Sequence, residues 1–426
     1  MQHLTQHLTQ HLTIGPMERP SAVNHAKNPA TLLTAGLLAA GLTLTACAPT
    51  EGTATGGEGE GAAPESVNVG IVYSETGPLA SYGEEYYAGL QAGIDYATDG
   101  TGMVGETEIN LTYHDDGGDP DKGVSIAKEL IGKEYSILAG TTVSGIALKL
   151  AEQAEQNQVL YISGPAATDA ITGINDYTFR SGRQSVQDVA TAGQFVDDLD
   201  GADVTVFAQD NAFGQGNVAA VEAVLGAEGA TVSDILVPED VTEFTPFARQ
   251  IVDADPDLVF VAWAGANAGS MWQALDQQGA FDAAPIVTGL ANQATFSAYG
   301  AAGEKISFLS HYFPGAGQNE VEDFMIEHVE EAGAEPDLFT PDGFVAGQMI
   351  VRAIEEGGGT DVDSMVTALE GWEFEGPKGT TTVRADDHAL IQDMYQAELV
   401  QDGADWTPSL VDTVAAEDAA PPVAGE

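Results

Sequence analysis

Val67-Asn68-Val69-Gly70-Ile71-Val72 is the stretch on which the fold turns. A short, β-branched apolar run of this kind reads as a strand buried on both faces. Moving outward, Glu84 to Ala97 carries Leu90, Ile94 and Ala97 on one helical face. Similar short runs recur at Ile109–Tyr113, Ile137–Ala139, Val159–Ile162, Val204–Ala208, Val232–Val237, Leu258–Ala262, Ile286–Gly289 and Ile306–His311, with helical patterns filling most of the gaps. Asp119-Pro120 opens one such helix as an N-cap with proline at the first helical position. Strand–helix alternation predicts an α/β fold with parallel sheets covered by helices on both faces, and two sheets fit the length.

Upstream of the folded part, Ala30 to Ala46 is an uncharged apolar or small-residue run preceded by Arg19 and Lys27, and it ends in Leu44-Thr45-Ala46-Cys47 with the only cysteine of the 426 residues. This is the layout of a secretory signal, and Met17 is a better start than Met1, because residues 2–13 repeat QHLT three times without structural sense. A transmembrane anchor is the alternative, but the run falls at the bottom of the spanning range and no basic stop-transfer cluster follows. The expectation is a signal over 1–46 whose ending resembles that of bacterial lipoproteins, lipidation at Cys47, and a flexible Gly/Glu/Thr-rich tether through 47–66.

Acids outnumber bases 66 to 13, for a formal charge of −53. Only Glu18, Arg19 and Lys27 are charged before Cys47, so a mature chain carries 65 acids and 11 bases. Nucleic-acid binding is excluded, since phosphate contacts need clustered Lys and Arg. Regularly spaced apolar residues argue against disorder and for a carboxylate-covered surface suited to concentrated salt or a high-pH exterior.

Enzyme motifs are sparse: there is no HExxH, GxSxG, P-loop or CxxC pair. Gly214-Gln215-Gly216-Asn217-Val218-Ala219 mimics a dinucleotide fingerprint, but Gln209 to Phe213 separate it from its strand, so an ordinary helix start explains it better. Asp115-Asp116-Gly117-Gly118-Asp119-Pro120-Asp121 lacks calcium-loop spacing, and capping explains it better. His114, His311, His328 and His388 show no ligand spacing, and no metal or cofactor is expected. At two strand ends lie Gly140-Thr141-Thr142-Val143-Ser144-Gly145 and Ser163-Gly164-Pro165-Ala166-Ala167-Thr168. Such ends line the ligand crevice of parallel sheets, and hydroxyls beside free helix-start N–H groups suit a carboxylate or other acceptor-rich group; plain turn-forming N-caps are the alternative.

The chain resembles the branched-chain amino acid (Leu/Ile/Val-type) family of solute-binding lipoproteins of ABC importers over about residues 67–400. The likeness rests on an ordered set: Val69-Gly70-Ile71-Val72 with Thr76-Gly77-Pro78-Leu79-Ala80 and Tyr82-Gly83; Asp115-Asp116 with Asp119-Pro120; Ser163 to Thr168; Phe213-Gly214-Gln215-Gly216; and Asp257-Leu258-Val259-Phe260. The resemblance implies two Rossmann-like lobes with parallel central sheets joined by a three-crossing hinge, the Venus-flytrap of type I periplasmic binding proteins. It assigns 67–182 and 310–378 to the N-terminal lobe and 183–309 and 379–412 to the C-terminal lobe, with a disordered tail over 413–426.

It further implies that Ser144 and Thr168, with Thr142 beside them, hold a ligand carboxylate, that Ala166 offers its carbonyl to an ammonium, and that Tyr82, Phe213 and Trp263 wall the pocket. One departure stands out: the family presents a glutamate after the Ile286–Gly289 strand, where this chain reads Leu290-Ala291-Asn292-Gln293. A ligand ammonium would miss its charged partner, so Asn292 or Gln293 points to an amide, a urea-like solute or a non-amino carboxylate. Asp342 is a possible substitute charge or a helix-start cap, and Arg183 either a binder of a second anionic group or a structural ion pair. The implied role is that of a monomeric, membrane-tethered, non-catalytic receptor that passes a small solute to a permease, with ATP hydrolysed by partner subunits. A sensor feeding a signalling partner and a secreted hydrolase are the alternatives.

Overall fold

The computed structural model describes residues 64–196, 198–265, 267–402 and 405–425. Cys47, the signal segment and most of the tether lie outside the described residues. The first sheet contains β1 (Ser66–Tyr73), β2 (Met103–Val104), β3 (Thr107–Asp115), β4 (Ile137–Ala139), β5 (Leu160–Ser163) and β6 (Thr178–Arg180), in the order β2-β3-β1-β4-β5-β6. β1 sits at its centre with Val69, Ile71 and Val72 fully buried, pairing in parallel with β3 (Val69 opposite Leu111) and β4 (Val69 opposite Ile137). A strand covered on both faces has no polar side, which is why its sequence is a continuous apolar run.

The second sheet begins with β7 (Asp203–Gln209), β8 (Thr231–Val237), β9 (Leu258–Ala262), β10 (Ile286–Gly289) and β11 (Ile306–Ser310). A small sheet of β12 (Glu373–Gly376), β13 (Gly379–Val383) and β14 (Leu390–Ile391) follows; β15 (Met394–Asp402) and β16 (Asp405–Val414) then return to the second sheet. Its order is β16-β15-β11-β10-β9-β7-β8, and β15 and β16 run antiparallel, so the expected parallel core carries an antiparallel margin.

Helices α1 (Ala80–Ala97), α2 (Pro120–Gly132) and α3 (Ser144–Asn157) belong to the first lobe. In the second lie α4 (Ser185–Gly193), α5 (Ala212–Val224), α6 (Thr245–Ala254), α7 (Ala268–Gln278) and α8 (Ala280–Ala283). The chain then returns to the first lobe as α9 (Glu320–Glu331), α10 (Thr340–Gly357) and α11 (Val362–Leu369), and α10 packs tightly on α1. That approach depends on glycine: a Cβ on Gly89 or Gly93 would run into the carbonyl oxygen of Thr340 or Phe344.

Two expectations need correction. Val383 and Leu390 pack into the first-lobe core with Ile71 and Ile350, so the chain does not leave that lobe at 378 but crosses between β14 and β15. The tail is not loose from 413: β16 reaches Val414, Ala416 N–H donates to Asp393 Oδ1 (2.9 Å), and Ala424 N–H to Asp387 Oδ2 (3.0 Å). Carboxylates that collect backbone donors tie it down, helped by Arg384, which donates to the Pro421 carbonyl at 2.7 Å.

Candidate functional site

The strand order of the first sheet reverses between β1 and β4, and that of the second between β7 and β9, so each lobe presents a crevice at its strand carboxyl ends. In the first lobe Ser74, just after β1, donates to Asp116 Oδ1 at 2.8 Å and meets the Thr142 hydroxyl at 2.6 Å. Thr141 donates to the other oxygen of the buried Asp116. The acidic run beyond it is likewise consumed: Asp115 takes Lys122 and Thr76, and Asp119 caps α2. α3 starts without a side-chain cap, and both Ile146 and Ala147 N–H go to the Val143 carbonyl. The N–H groups of Ser144 and Gly145 therefore remain for an occupant of the crevice, where both residues line the wall.

Facing them, Asn211 caps α5 by accepting from Gly214 N–H (3.0 Å), which makes the glycine pair part of an ordinary helix start. Phe213 stands in the first turn of α5. Trp263, just past β9, stacks on Phe207 (5.4 Å between centroids), meets Phe244 edge-on, and donates Nε1–H to Asn267 at 2.9 Å. With its polar handle satisfied and two aromatic supports, its ring is a fixed wall.

These surfaces enclose one cleft of about 360 Å³. Tyr82, Thr142, Ser144, Phe213 and Trp263 all line it; Ala166, Thr168 and Asn292 do not. The Ala166 carbonyl accepts Arg180 Nη2 at 2.8 Å, and the Thr168 carbonyl also faces that guanidinium. Thr168 N–H donates to Ser144 Oγ at 3.3 Å, so Thr168 holds Ser144 in place. Arg180 is wholly buried, and burial lowers its pKa to about 10.

Asn292 is buried off the cleft wall, its Nδ2 engaged by the other lobe while its Oδ1 has no partner among the described residues. Its Nδ2 donates to Glu85 Oε1 (3.1 Å), while Phe339 N–H donates to Glu85 Oε2 (3.1 Å). Gln293 is also spoken for, giving its N–H to Asp337 (2.7 Å) and its side-chain amide to the Pro336 carbonyl. Burial, reinforced by Asp337, pushes Glu85 up to about 8; burial also lifts Asp337 to about 6. The acid absent at position 291 thus has a neighbour supplied by α1, engaged in joining the lobes.

Asp188, His311 and Phe339 are among the wall residues that had no place in the expected site, and Arg183, weighed beforehand as an anion binder or a structural ion pair, stands with them. Phe339 is the centre of the group, with the Tyr82 ring 4.6 Å away, His311 4.8 Å away and the Arg183 guanidinium 5.6 Å from its centroid. Arg183 pairs with Asp188 at 3.2 Å. Burial drives His311 well below the usual histidine range, with Arg183 and Lys378 adding to the effect, so the ring is neutral. Asp342 is neither an exposed cap nor a wall residue; it is buried behind Arg183, and burial raises it to about 7. The available signal was scarcity: Arg183 lies at the first crossing in a chain with few bases.

Among the described residues no group of three or more His, Cys, Asp or Glu side chains is placed to hold a metal ion, and no helix is long and apolar enough to cross a membrane.

A family model described as periplasmic binding protein matches residues 66–404. The Leu/Ile/Val-binding protein homolog 3 of Brucella melitensis is 24% identical over 327 residues, 75% of this chain and 88% of its own. An ABC-type branched-chain amino acid transporter structure from Rhodopseudomonas palustris is 30% identical with TM-score 0.70, covering 84% of this chain and 100% of that one. A solute-binding protein of the same organism, solved with 4-hydroxybenzoate, has TM-score 0.74 at 20% identity, covers 82% and 97% of the two chains, and shares the fold. Two sheets, three crossings and a cleft at their carboxyl ends agree with these matches, and the chain belongs to the periplasmic binding protein family, as a solute receptor of the ABC-importer type.

Proposed function

We propose that the protein is held to the outer side of a membrane by lipid on Cys47, closes its lobes over one small solute, and hands that solute to an importer permease. The cleft carries this reading. Thr142 and Ser144, with the free N–H groups of α3, offer donors and hydroxyls at one wall, while Tyr82, Phe213 and Trp263 supply apolar and aromatic surface. A mostly apolar pocket with a few convergent polar groups fits a small metabolite with one acceptor-rich end. Closure then follows from the ligand's preference for the closed form. The ATP-hydrolysing step belongs to partner subunits, and the receptor transforms nothing. Relatives of the same fold solved with benzoate and with 4-hydroxybenzoate make aromatic acids natural first probes beside leucine.

A thermal-shift screen in high salt over amino acids, amides, ureas and organic acids tests this. A tight ligand raises the melting temperature as its concentration exceeds Kd. Ser144→Ala should weaken that ligand about tenfold, the cost of one hydrogen bond to a charged group. An unchanged affinity in Ser144→Ala contradicts the site, and chemical turnover of the ligand contradicts the receptor role.

A further inference from the structure

The two arginines of the first crossing are three residues apart and do different work. Arg180 spends its guanidinium on the Ala166 and Thr168 carbonyls and the Thr172 hydroxyl. Arg183 lines the cleft, with Nε set against Asp188 (3.4 and 3.2 Å) and Nη1 donating to the Pro165 carbonyl at 2.9 Å. Among the described residues Nη2 of Arg183 has no hydrogen-bond partner, and unlike Arg180 Nε it is not sealed from solvent. Besides the Tyr82 phenol, which burial keeps neutral, the remaining ionisable wall residues are Asp188, already facing Arg183; Glu239, exposed and accepting from Asn211 Nδ2 at 2.7 Å; and the neutral His311. One permanent cation with a spare donor thus faces the occupant, and no uncommitted carboxylate faces an ammonium.

Resting on the cleft as the binding site, we infer that Arg183 anchors an anionic group through Nη2, and that the solute is an organic acid without an α-ammonium group. Planar guanidinium to carboxylate is the strongest pairing such a donor can make. Phe339, stacked beside the guanidinium, presents its face next to the anchored group.

Titration calorimetry in high salt on the intact protein, with matched sets, tests the inference: benzoate against benzamide, 4-hydroxybenzoate against 4-hydroxybenzamide, and 4-methylpentanoate against 4-methylpentanamide and leucine. The acid of at least one set should bind about tenfold or more tighter than its amide. Arg183→Gln should bring that ratio close to one. Because Arg183→Gln leaves Asp188 buried without its partner, the double variant Arg183→Gln/Asp188→Asn should show the same loss with the fold intact by circular dichroism. Asp188→Asn alone frees the guanidinium and should tighten the acid. Equal acid and amide affinities, a preference that survives in the double variant, or leucine bound more tightly than 4-methylpentanoate overturns the anchor while leaving the cleft reading standing. If no member of any set binds the wild-type protein, the cleft reading falls together with the anchor.

Discussion

Glu85 on α1 and Asn292 after β10 are 207 residues apart in sequence and joined by a hydrogen bond of 3.1 Å, which links the first lobe to the second beside the cleft. Separating the lobes at this point would break the bond. Asn292→Ala should therefore loosen closure rather than strip the ligand of a contact. Kd should rise about tenfold, as for leaving one buried hydrogen-bond partner unsatisfied, for every ligand alike. A change in the ranking of acids over amides, measured by calorimetry, would place Asn292 in the ligand's own shell instead.

The same pair makes stability depend on pH. Glu85 titrates at about 8 in the fold because burial disfavours its charge, against an ordinary 4.5 in the unfolded chain. The folded state therefore binds more protons between these values, so this group's contribution to stability is fully present below about 4.5 and is lost as pH rises through about 8. Asp337 acts in the same direction up to about 6, whereas Asp387, lowered chiefly by its Arg384 partner against the opposing effect of burial, works the opposite way at low pH. Melting curves from pH 5 to 9 should fall less steeply for Glu85→Gln than for wild type. Parallel curves would contradict the assignment.

How much of this was legible beforehand depended on whether the physics is local. Strands such as Ile137–Ala139, Leu258–Ala262 and Ile286–Gly289 have the bounds expected from their apolar runs, because burial on both faces leaves no ambiguity of period. Asp119-Pro120 announces its own helix. Thr142 and Ser144 stand just past such a strand end, where position along the chain already says which way the crevice lies, whereas Tyr82, Phe213 and Trp263 were named by the family resemblance; all five line the cleft. Ala166 and Thr168 follow a strand end and Asn292 follows β10, yet position alone could not tell that they face other partners than the cleft. The Ala166 carbonyl, the Thr168 N–H and the Asn292 Nδ2 are taken by Arg180, Ser144 and Glu85, and those partnerships are matters of tertiary packing. β15 and β16 were equally hidden, since edge pairing and tail anchoring are set by distant carboxylates.

The glycine seam between α1 and α10 should be intolerant of one methyl group. Gly93→Ala forces its Cβ against the Phe344 backbone, where no side chain can swing aside. Overpacking of this kind costs about 3 kcal/mol. Denaturant titration should show a lower midpoint with an unchanged slope, and an unaltered midpoint would mean the helices separate more easily than their contact suggests.

Trp263 offers an optical readout, because among Trp263, Trp272, Trp372 and Trp406 it alone lines the cleft. Ligand closure should change the tryptophan emission, and Trp263→Phe should remove most of that change while costing some affinity through the lost stacking surface. A signal that persists in Trp263→Phe would locate the ligand elsewhere.

Net charge of −53 sets the working conditions. Raising KCl from low millimolar to molar concentration screens self-repulsion among surface carboxylates and should raise the melting temperature by several degrees or more. A melting temperature independent of salt would remove the case for a salt-adapted surface.

A crystal structure with the best-bound acid of the matched sets tests the central claim most directly. The account predicts one solute between closed lobes, its carboxylate within hydrogen-bonding distance of Arg183 Nη2 and its apolar body against Tyr82, Phe339 and Trp263. Density for that acid outside the cleft, or a carboxylate turned away from Arg183, would contradict it.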